Sequence, residues 1–399
     1  MRKTVGQANQ SLITRRSVLR VNRREFVKTA ASISALAAVS TSGQEAQRLA
    51  DADPEISGRL RQLFGSKITV DALLYTQDNS ASLPSATLEA IQASGQTAAF
   101  WDISINACGR SLEAMVRHIA RWNEELDKHH DVLVRALSAR DIEEAKRSGK
   151  FAIVYLSQDA SILGRELAMV RTFFELGLRV LQLTHDTRNQ VGSGYRDRND
   201  GTLSHFGVDV VKRCNELGML IDLSHCGDET TLDAIEISSR PCVFTHTGCR
   251  SLYRSLRNRT DEQMRALADK GGVVGIFNIS EWLTRAETAT LDAVLDNIQH
   301  VVQVAGIDHV GFGSDHSMEA LALDKLEERL RYSQATAPEE ITGGYSETVP
   351  QHVVIPELNT PMRMLVLADG LEKRGYTDSQ IEKLLGGNFL RVFREVVGA

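Results

Sequence analysis

At 399 residues, 42% of them hydrophobic and 25% charged, the chain carries enough apolar material for a large folded core. Its formal net charge of −6 leaves no basic face to release counterions from phosphates, which excludes a nucleic-acid partner. No apolar run is long enough to span a bilayer, and Cys108, Cys214, Cys226, Cys242 and Cys249 are too sparse and irregular for a disulfide framework or a paired zinc knuckle.

Residues 1–50 read as a leader rather than as fold. Asn22-Arg23-Arg24-Glu25-Phe26-Val27-Lys28 precedes a mildly apolar stretch, Thr29–Val39, and then the small residues Ser40-Thr41-Ser42-Gly43. A charged region, a short hydrophobic region and small residues make an export signal, and the paired arginines point to the twin-arginine route, which carries folded proteins. Arg15-Arg16 lies further from the apolar run and is the weaker pair. Cleavage is expected between Ala38 and Ala46, placing the mature chain in the periplasm or another extracytoplasmic space, with one folded domain over 51–399. The mature domain is compatible with a homo-oligomer.

From there strand and helix patterns alternate. Strands are expected at Ile68–Leu74, Thr97–Ser104, Phe151–Ser157, Arg179–His185, Gly218–His225, Cys242–His246, Val273–Asn278 and His309–Asp315. Helical spacing marks Ser111–Leu137, Asp141–Ser148, Glu166–Leu176, Glu262–Lys270 and Leu291–Ala305, with Asp378–Val397 as a pair broken at Gly386-Gly387 that packs across the barrel. Eight apolar strands alternating with helices is the count of a closed (β/α)8 TIM barrel. An open doubly wound sheet is the rival, but the Gly-rich phosphate loop such sheets often carry after the first strand is absent.

The strand ends carry the chemistry. Gln158 and Asp159 follow the third strand, His185 ends the fourth, His225 the fifth, His246 the sixth, and Asp315 and His316 close the eighth. In a barrel these converge on one mouth, where active sites of this architecture sit. Two imidazoles on successive strands suit a metal ion. The long polar loop from Asp186 to Leu203 lies on the same rim, and the charged segment Leu321–Val353 after the eighth strand offers a second wall.

Gly201-Thr-Leu-Ser-His-Phe-Gly207, Val210–Gly218, Ile221-Asp-Leu-Ser-His225, Thr245-His246-Thr, Arg257-Asn258, Val310-Gly-Phe-Gly-Ser-Asp315 and Leu384–Phe393 together resemble the renal-type membrane dipeptidase family. The resemblance covers Ile68 to Phe393. It implies a (β/α)8 barrel that hydrolyses dipeptides with zinc. It further implies that His225 and His246 hold the second zinc, that His185 steadies the tetrahedral intermediate, that Arg257 binds the substrate carboxylate, and that Asp315 shuttles a proton.

The departures fall on the metal. Leu73 and Tyr75 stand where the resemblance implies the His-x-Asp ligands of the first zinc, Gln158 stands at the bridging glutamate, and the exit of the eighth strand reads Asp315-His316-Ser317. Leucine offers no donor, and a neutral amide is a poor bridge between dications. The expectation is therefore one ion, zinc, on His225 and His246, completed by Gln158, Asp159 or Asp315, in a hydrolase acting on a dipeptide or similar small carboxylated amide. The alternatives are a metal-free barrel that binds a small peptide or amino acid, and metal-free acid–base chemistry on His185, His225 and Asp315.

Overall fold

A computed structural model describes residues 56–77, 82–104, 111–284, 286, 288–322, 324–331 and 352–399. The expected export leader and Cys108 lie outside these residues. Ten strands are described, β1 (Val70–Tyr75), β2 (Ala98–Asp102), β3 (Leu133–Arg135), β4 (Phe151–Ser157), β5 (Leu178–Gln182), β6 (Leu220–Asp222), β7 (Cys242–Thr247), β8 (Val273–Ile276), β9 (Val310–Phe312) and β10 (His316–Ser317). They pair in the order β10-β1-β2-β4-β5-β6-β7-β8-β9, with β3 beside β4, and every pairing is parallel.

β9 and β10 are two pieces of one strand, and this is what shuts the sheet. Leu74 pairs with His316 and Tyr75 with Ser317, while the Asp315 and Ser314 groups between the pieces donate to Leu73 O at 3.1 and 3.3 Å. The last strand thus meets the first, giving the expected (β/α)8 barrel. Strands of a closed parallel barrel are covered on both faces, and β2, β4, β5 and β7 are buried at every position, polar residues such as Asp102, Arg179 and His246 included.

Helices form where apolar residues recur at three- and four-residue steps. In Leu112–Lys128, Met115, Ile119, Trp122 and Leu126 are buried, and the Ser111 hydroxyl accepts from Ala114 N to start the helix. That helix stops well before Leu137. His129 caps it, and Leu133–Arg135 becomes β3, so the expected single helix over 111–137 is a helix followed by a short extra strand. Asp261–Asp269 opens with a Thr260/Gln263 capping box, which satisfies two otherwise unpaired backbone N–H groups.

The C-terminal pair does pack across the barrel. Phe389, Leu390, Val392, Phe393 and Val396 of the helix Asn388–Val397 join Val70, Ala72, Ala98, Val154, Val180, Leu220, Val243 and Val273, most of them at strand starts, in one apolar cluster. Gly311 makes room, since a Cβ there would lie 2.7 Å from the Phe389 ring. The amino-terminal end of the barrel is thereby plugged, and polar chemistry is confined to the other end.

Candidate active site at the barrel mouth

Three buried aspartates brace the strand ends under the mouth. Asp71 Oδ1 accepts from Leu73 N at 3.2 Å and Ser314 N at 2.8 Å, Asp102 Oδ1 from Ser104 N at 2.8 Å, and Asp222 Oδ1 from Ser224 N and Thr245 N, each at 3.0 Å. Each fixes the chain two residues on, at the point where a strand turns out into a loop. Burial pushes the Asp71 and Asp102 carboxyls up to about 6, against the opposing Arg363 charge and the Ser104 hydrogen bonds respectively.

His225 lies in the turn after β6, and His246 lies within β7. Their Nε2 atoms face each other across 2.9 Å. His225 Nδ1 is 2.9 Å from Asp186 Oδ1, and its Nε2 accepts from Arg257 Nη2 at 3.0 Å, which assigns the proton to Nδ1. His246 Nδ1 is 2.7 Å from Thr245 Oγ1, whose own hydrogen goes to Asp222 Oδ2 at 2.5 Å, so His246 also carries its proton on Nδ1. Burial, reinforced by the Arg257 charge, holds both imidazoles well below the usual histidine range and hence neutral. The two Nε2 lone pairs converge on one point, where His225 Nε2 already accepts from Arg257 Nη2, and a metal ion held by both rings would take the place of that hydrogen bond.

The loop after β5 supplies the orienting carboxylate. Asp186 Oδ1 lies 3.1 Å from His185 Nδ1 as well as against His225, and Asp186 Oδ2 takes Arg196 Nη1 at 3.2 Å. Burial alone would raise the Asp186 carboxyl, but His185 and His225 outweigh it and hold it well below the usual carboxylate range. His185 stacks on His225 with ring centroids 4.2 Å apart, and the Tyr195 ring meets His225 edge-on at 5.7 Å. His185, Asp186 and His225 form a cluster whose ligand atoms lie within 4.8 Å of one another.

Arg257 is fully buried. Its Nη1 donates to Ser224 O at 2.7 Å and its Nη2 to His246 O at 3.1 Å and His225 Nε2, while the Phe277, Trp282 and Tyr195 rings surround the guanidinium at 5.2–5.9 Å. The side chain that the resemblance assigns to the substrate carboxylate is here bonded to the His225 ring and to the backbone carbonyls of Ser224 and His246.

The β1 side of the mouth is built differently. Leu73 is buried in the apolar interior, and the Tyr75 hydroxyl donates to Asp315 O at 3.1 Å. Asp315 has φ 57°, the one left-handed non-glycine backbone among the described residues, a conformation aspartate tolerates better than most. Burial pushes its carboxyl up, against the Arg257, Arg329 and His185 charges. Of the two further candidate ligands, Gln158 is buried with no hydrogen-bond partner for Nε2, and Asp159 is turned away: its Oδ1 caps the turn at Ser161 N (2.7 Å) and holds Asn189 Nδ2 (2.8 Å). Asp159 is thus a loop brace and not the replacement ligand expected, because successive residues leaving a strand point to opposite sides.

Sequence reasoning missed Asp186 and Arg329. Asp186 had a signal, since an acidic residue directly follows His185 on the site's rim. Arg329, from the segment after the eighth strand, had none.

A parallel barrel with histidines, a carboxylate and an arginine at its carboxyl mouth defines the metallohydrolase class of barrels. Residues 58–354 match the family model described as membrane dipeptidase (peptidase family M19), and the chain belongs to that family. It is 29% identical over 297 residues to the dipeptidase verJ of Clonostachys rogersoniana, covering 74% of this chain and 68% of that one. It is 28% identical over 293 residues to the uncharacterized dipeptidase C965.12 of Schizosaccharomyces pombe, spanning 71% of this chain and only 61% of that relative. Among solved structures, an amidohydrolase from Pseudomonas aeruginosa superposes with a TM-score of 0.74 at 27% identity, over 85% of this chain and 99% of that one.

The donors present fit one ion and not two. Two imidazole nitrogens on a tetrahedral zinc, at about 2.0–2.1 Å from it, lie about 3.3 Å apart, a few tenths of an ångström beyond the 2.9 Å between His225 Nε2 and His246 Nε2. On the β1 side Leu73 has no donor atom and the Tyr75 hydroxyl is engaged with Asp315 O.

Proposed function

We propose that this protein hydrolyses the amide bond of a dipeptide or a similar small carboxylated amide, using one metal ion, zinc by the preference of imidazole donors, held by His225 and His246. The observation that carries this reading is the facing pair of Nε2 lone pairs, both tautomers being fixed from behind by Asp186 and Thr245. When bound, such an ion polarises the scissile carbonyl and acidifies water at neutral pH.

The chain's own groups supply the rest. His185, stacked on His225 and partly exposed, is placed to donate to the oxyanion that develops on the carbonyl, and Asp186 steadies its ring. Asp315, half-buried at the mouth, takes the proton lost by water and returns it to the departing amine, a task helped by the burial that raises its carboxyl above the usual range. Tyr195 and Arg196, on the loop after β5, close one side of the mouth over His225 and Asp186.

The deciding experiment pairs metal analysis with turnover. Mature protein purified without chelators is expected to hold about one zinc per chain and to cleave dipeptides until chelated. Absence of metal after incubation with zinc, together with no turnover, would leave a barrel that only binds a small peptide or amino acid. Export by the twin-arginine route belongs to the same proposal, and Arg23→Lys with Arg24→Lys is expected to trap the uncleaved precursor in the cytoplasm.

A further inference from the structure

The eighth strand is broken where its chemistry sits. β9 ends at Phe312, β10 starts at His316, and between them Asp315 takes the left-handed backbone, φ 57°. An unbroken strand of this barrel would be covered on both faces. Here Ser314, His316 and Ser317 are buried, while Asp315 between them reaches solvent at the mouth. The kink therefore decides where the carboxylate goes.

A residue with a side chain holds a positive φ at a steric cost, so its surroundings must fix it there. The backbone groups of Ser314 and Asp315 are all engaged. Ser314 N donates to Asp71 Oδ1 at 2.8 Å, Ser314 O accepts from Asn278 N at 3.0 Å, and Asp315 N donates to Leu73 O at 3.1 Å. The buried Arg363 adds Nη1 to Ser314 Oγ at 3.3 Å and Nη2 to Met318 O at 3.2 Å. The remaining group, Asp315 O, accepts from the Tyr75 hydroxyl at 3.1 Å. Among the described residues, Tyr75 is the one side chain that bonds the backbone of Asp315 itself. Strand register explains its reach: Tyr75 pairs with Ser317, two residues beyond Asp315, so its ring lies alongside the last strand. Arg329, on the helix at 324–331, stands with Nη1 3.4 Å from His316 Nδ1 and donates to the Tyr75 hydroxyl, whose own hydrogen is thereby left for Asp315 O.

We infer that Tyr75 is a positioning residue for Asp315, holding the left-handed kink that turns the carboxylate out to the mouth. The inference deepens the hydrolase reading and rests on it for the use of that carboxylate as the proton carrier. It gives a new task to a position where the resemblance implies a metal ligand: the phenol holds backbone instead of an ion.

The first test is a double-mutant cycle on glycylglycine hydrolysis by the zinc-loaded protein. Tyr75→Phe keeps the ring and removes only the hydroxyl, so kcat is expected to fall about 3- to 10-fold, the range for one hydrogen bond, with KM and zinc content unchanged. In an Asp315→Asn background the same change should cost less than about 2-fold, since no carboxylate is left to aim. Equal losses in both backgrounds, or a loss carried by KM or by zinc content, would overturn the inference.

Melting gives a second readout that needs no turnover. Glycine takes a positive φ without steric cost and alanine does not, so Asp315→Ala should melt about 1–3 °C below Asp315→Gly while Tyr75 holds the kink. With Tyr75→Phe added to each, residue 315 is free to relax and the gap should close. A gap of the same size in both backgrounds would overturn the inference. If the wild type cleaves no dipeptide, the hydrolase reading fails by itself, and the melting comparison still decides whether Tyr75 holds the kink.

Discussion

The two sides of the barrel mouth have been solved by opposite means. On the β5–β7 side, neutral imidazoles are buried with their lone pairs converging, and a carboxylate and a hydroxyl hold the far edges of the rings. On the β1 and β10 side, the resemblance implies metal ligands, yet the chain presents a leucine, a phenol and a histidine that accepts from an arginine. One side calls for a cation to be supplied; the other brings its cation along the chain. The comparison teaches that a side of the mouth without the implied ligand donors can still carry positive charge, provided an arginine reaches it from outside the barrel.

The sharpest way to break this contrast is His225→Ala. It removes one of the two facing nitrogens and strands Arg257 Nη2 and Asp186 Oδ1, so bound metal should fall from about one per chain to none, and dipeptide turnover to background. Metal retained at one equivalent in that variant would show that the β5–β7 side is not the ligating side.

A subtler change, Asp186→Asn, leaves both nitrogens but weakens the brace behind His225 and His185. Loss of such an orienting partner costs about 10- to 100-fold in metal affinity, readable by competition with a fluorescent chelator. An unaltered affinity would mean that the tautomer is fixed by Arg257 alone.

Proton linkage separates the histidines from the aspartates that brace the strands. His225 and His246 are held below the unfolded value near 6.5, so their share of stability is present above that pH and is lost as pH falls. Asp71 and Asp102 are raised to about 6, so their share is present below the unfolded value of 3.8 and is lost as pH rises toward 6. Chelated protein should therefore melt lower at pH 5 than at pH 7.5 if the histidines dominate. Asp71→Asn, whose side-chain oxygen can still accept from Leu73 and Ser314, should gain on wild type as pH rises from 4 to 7. A constant difference across that range would locate the Asp71 titration outside the window.

The smallest effect is expected on the β1 side. Tyr75→Phe deletes one hydrogen bond to Asp315 O and one partner of Arg329, worth about 1 kcal/mol in melting or denaturant experiments. Zinc content should not change, and a rise toward two equivalents would mean that Tyr75 itself excludes a second ion.

Much of this architecture is legible in the chain alone. Apolar runs too uniform for a half-exposed sheet announce buried parallel strands, helical spacing announces the outer layer, and polar residues closing those runs announce the mouth, because burial on both faces leaves strand ends as the place for polar chemistry. His225, His246, His185 and Asp315 all come to that mouth as read. The helix expected over 111–137 was too long because Leu133-Val134-Arg135 suits either period, and pairing with β4 decided for strand. Asp159 fails as a ligand because it directly follows Gln158 at a strand exit, where successive side chains alternate, and its carboxylate is taken up by the turn at Ser161 and by Asn189.

What the sequence determined by itself is the barrel, the family and the half of the site in which motif and geometry coincide. What only the tertiary structure decided is how charge is distributed there: that Arg257 is locked beneath the histidines, that Asp186 sits behind two of them, and that Arg329 reaches Tyr75 and His316 from beyond the eighth strand. The reason is physical. Periodicity records which residues avoid water, a property each residue carries locally, whereas pairing of buried charges depends on distances between segments that are remote in the chain and become neighbours only when the last strand closes on the first.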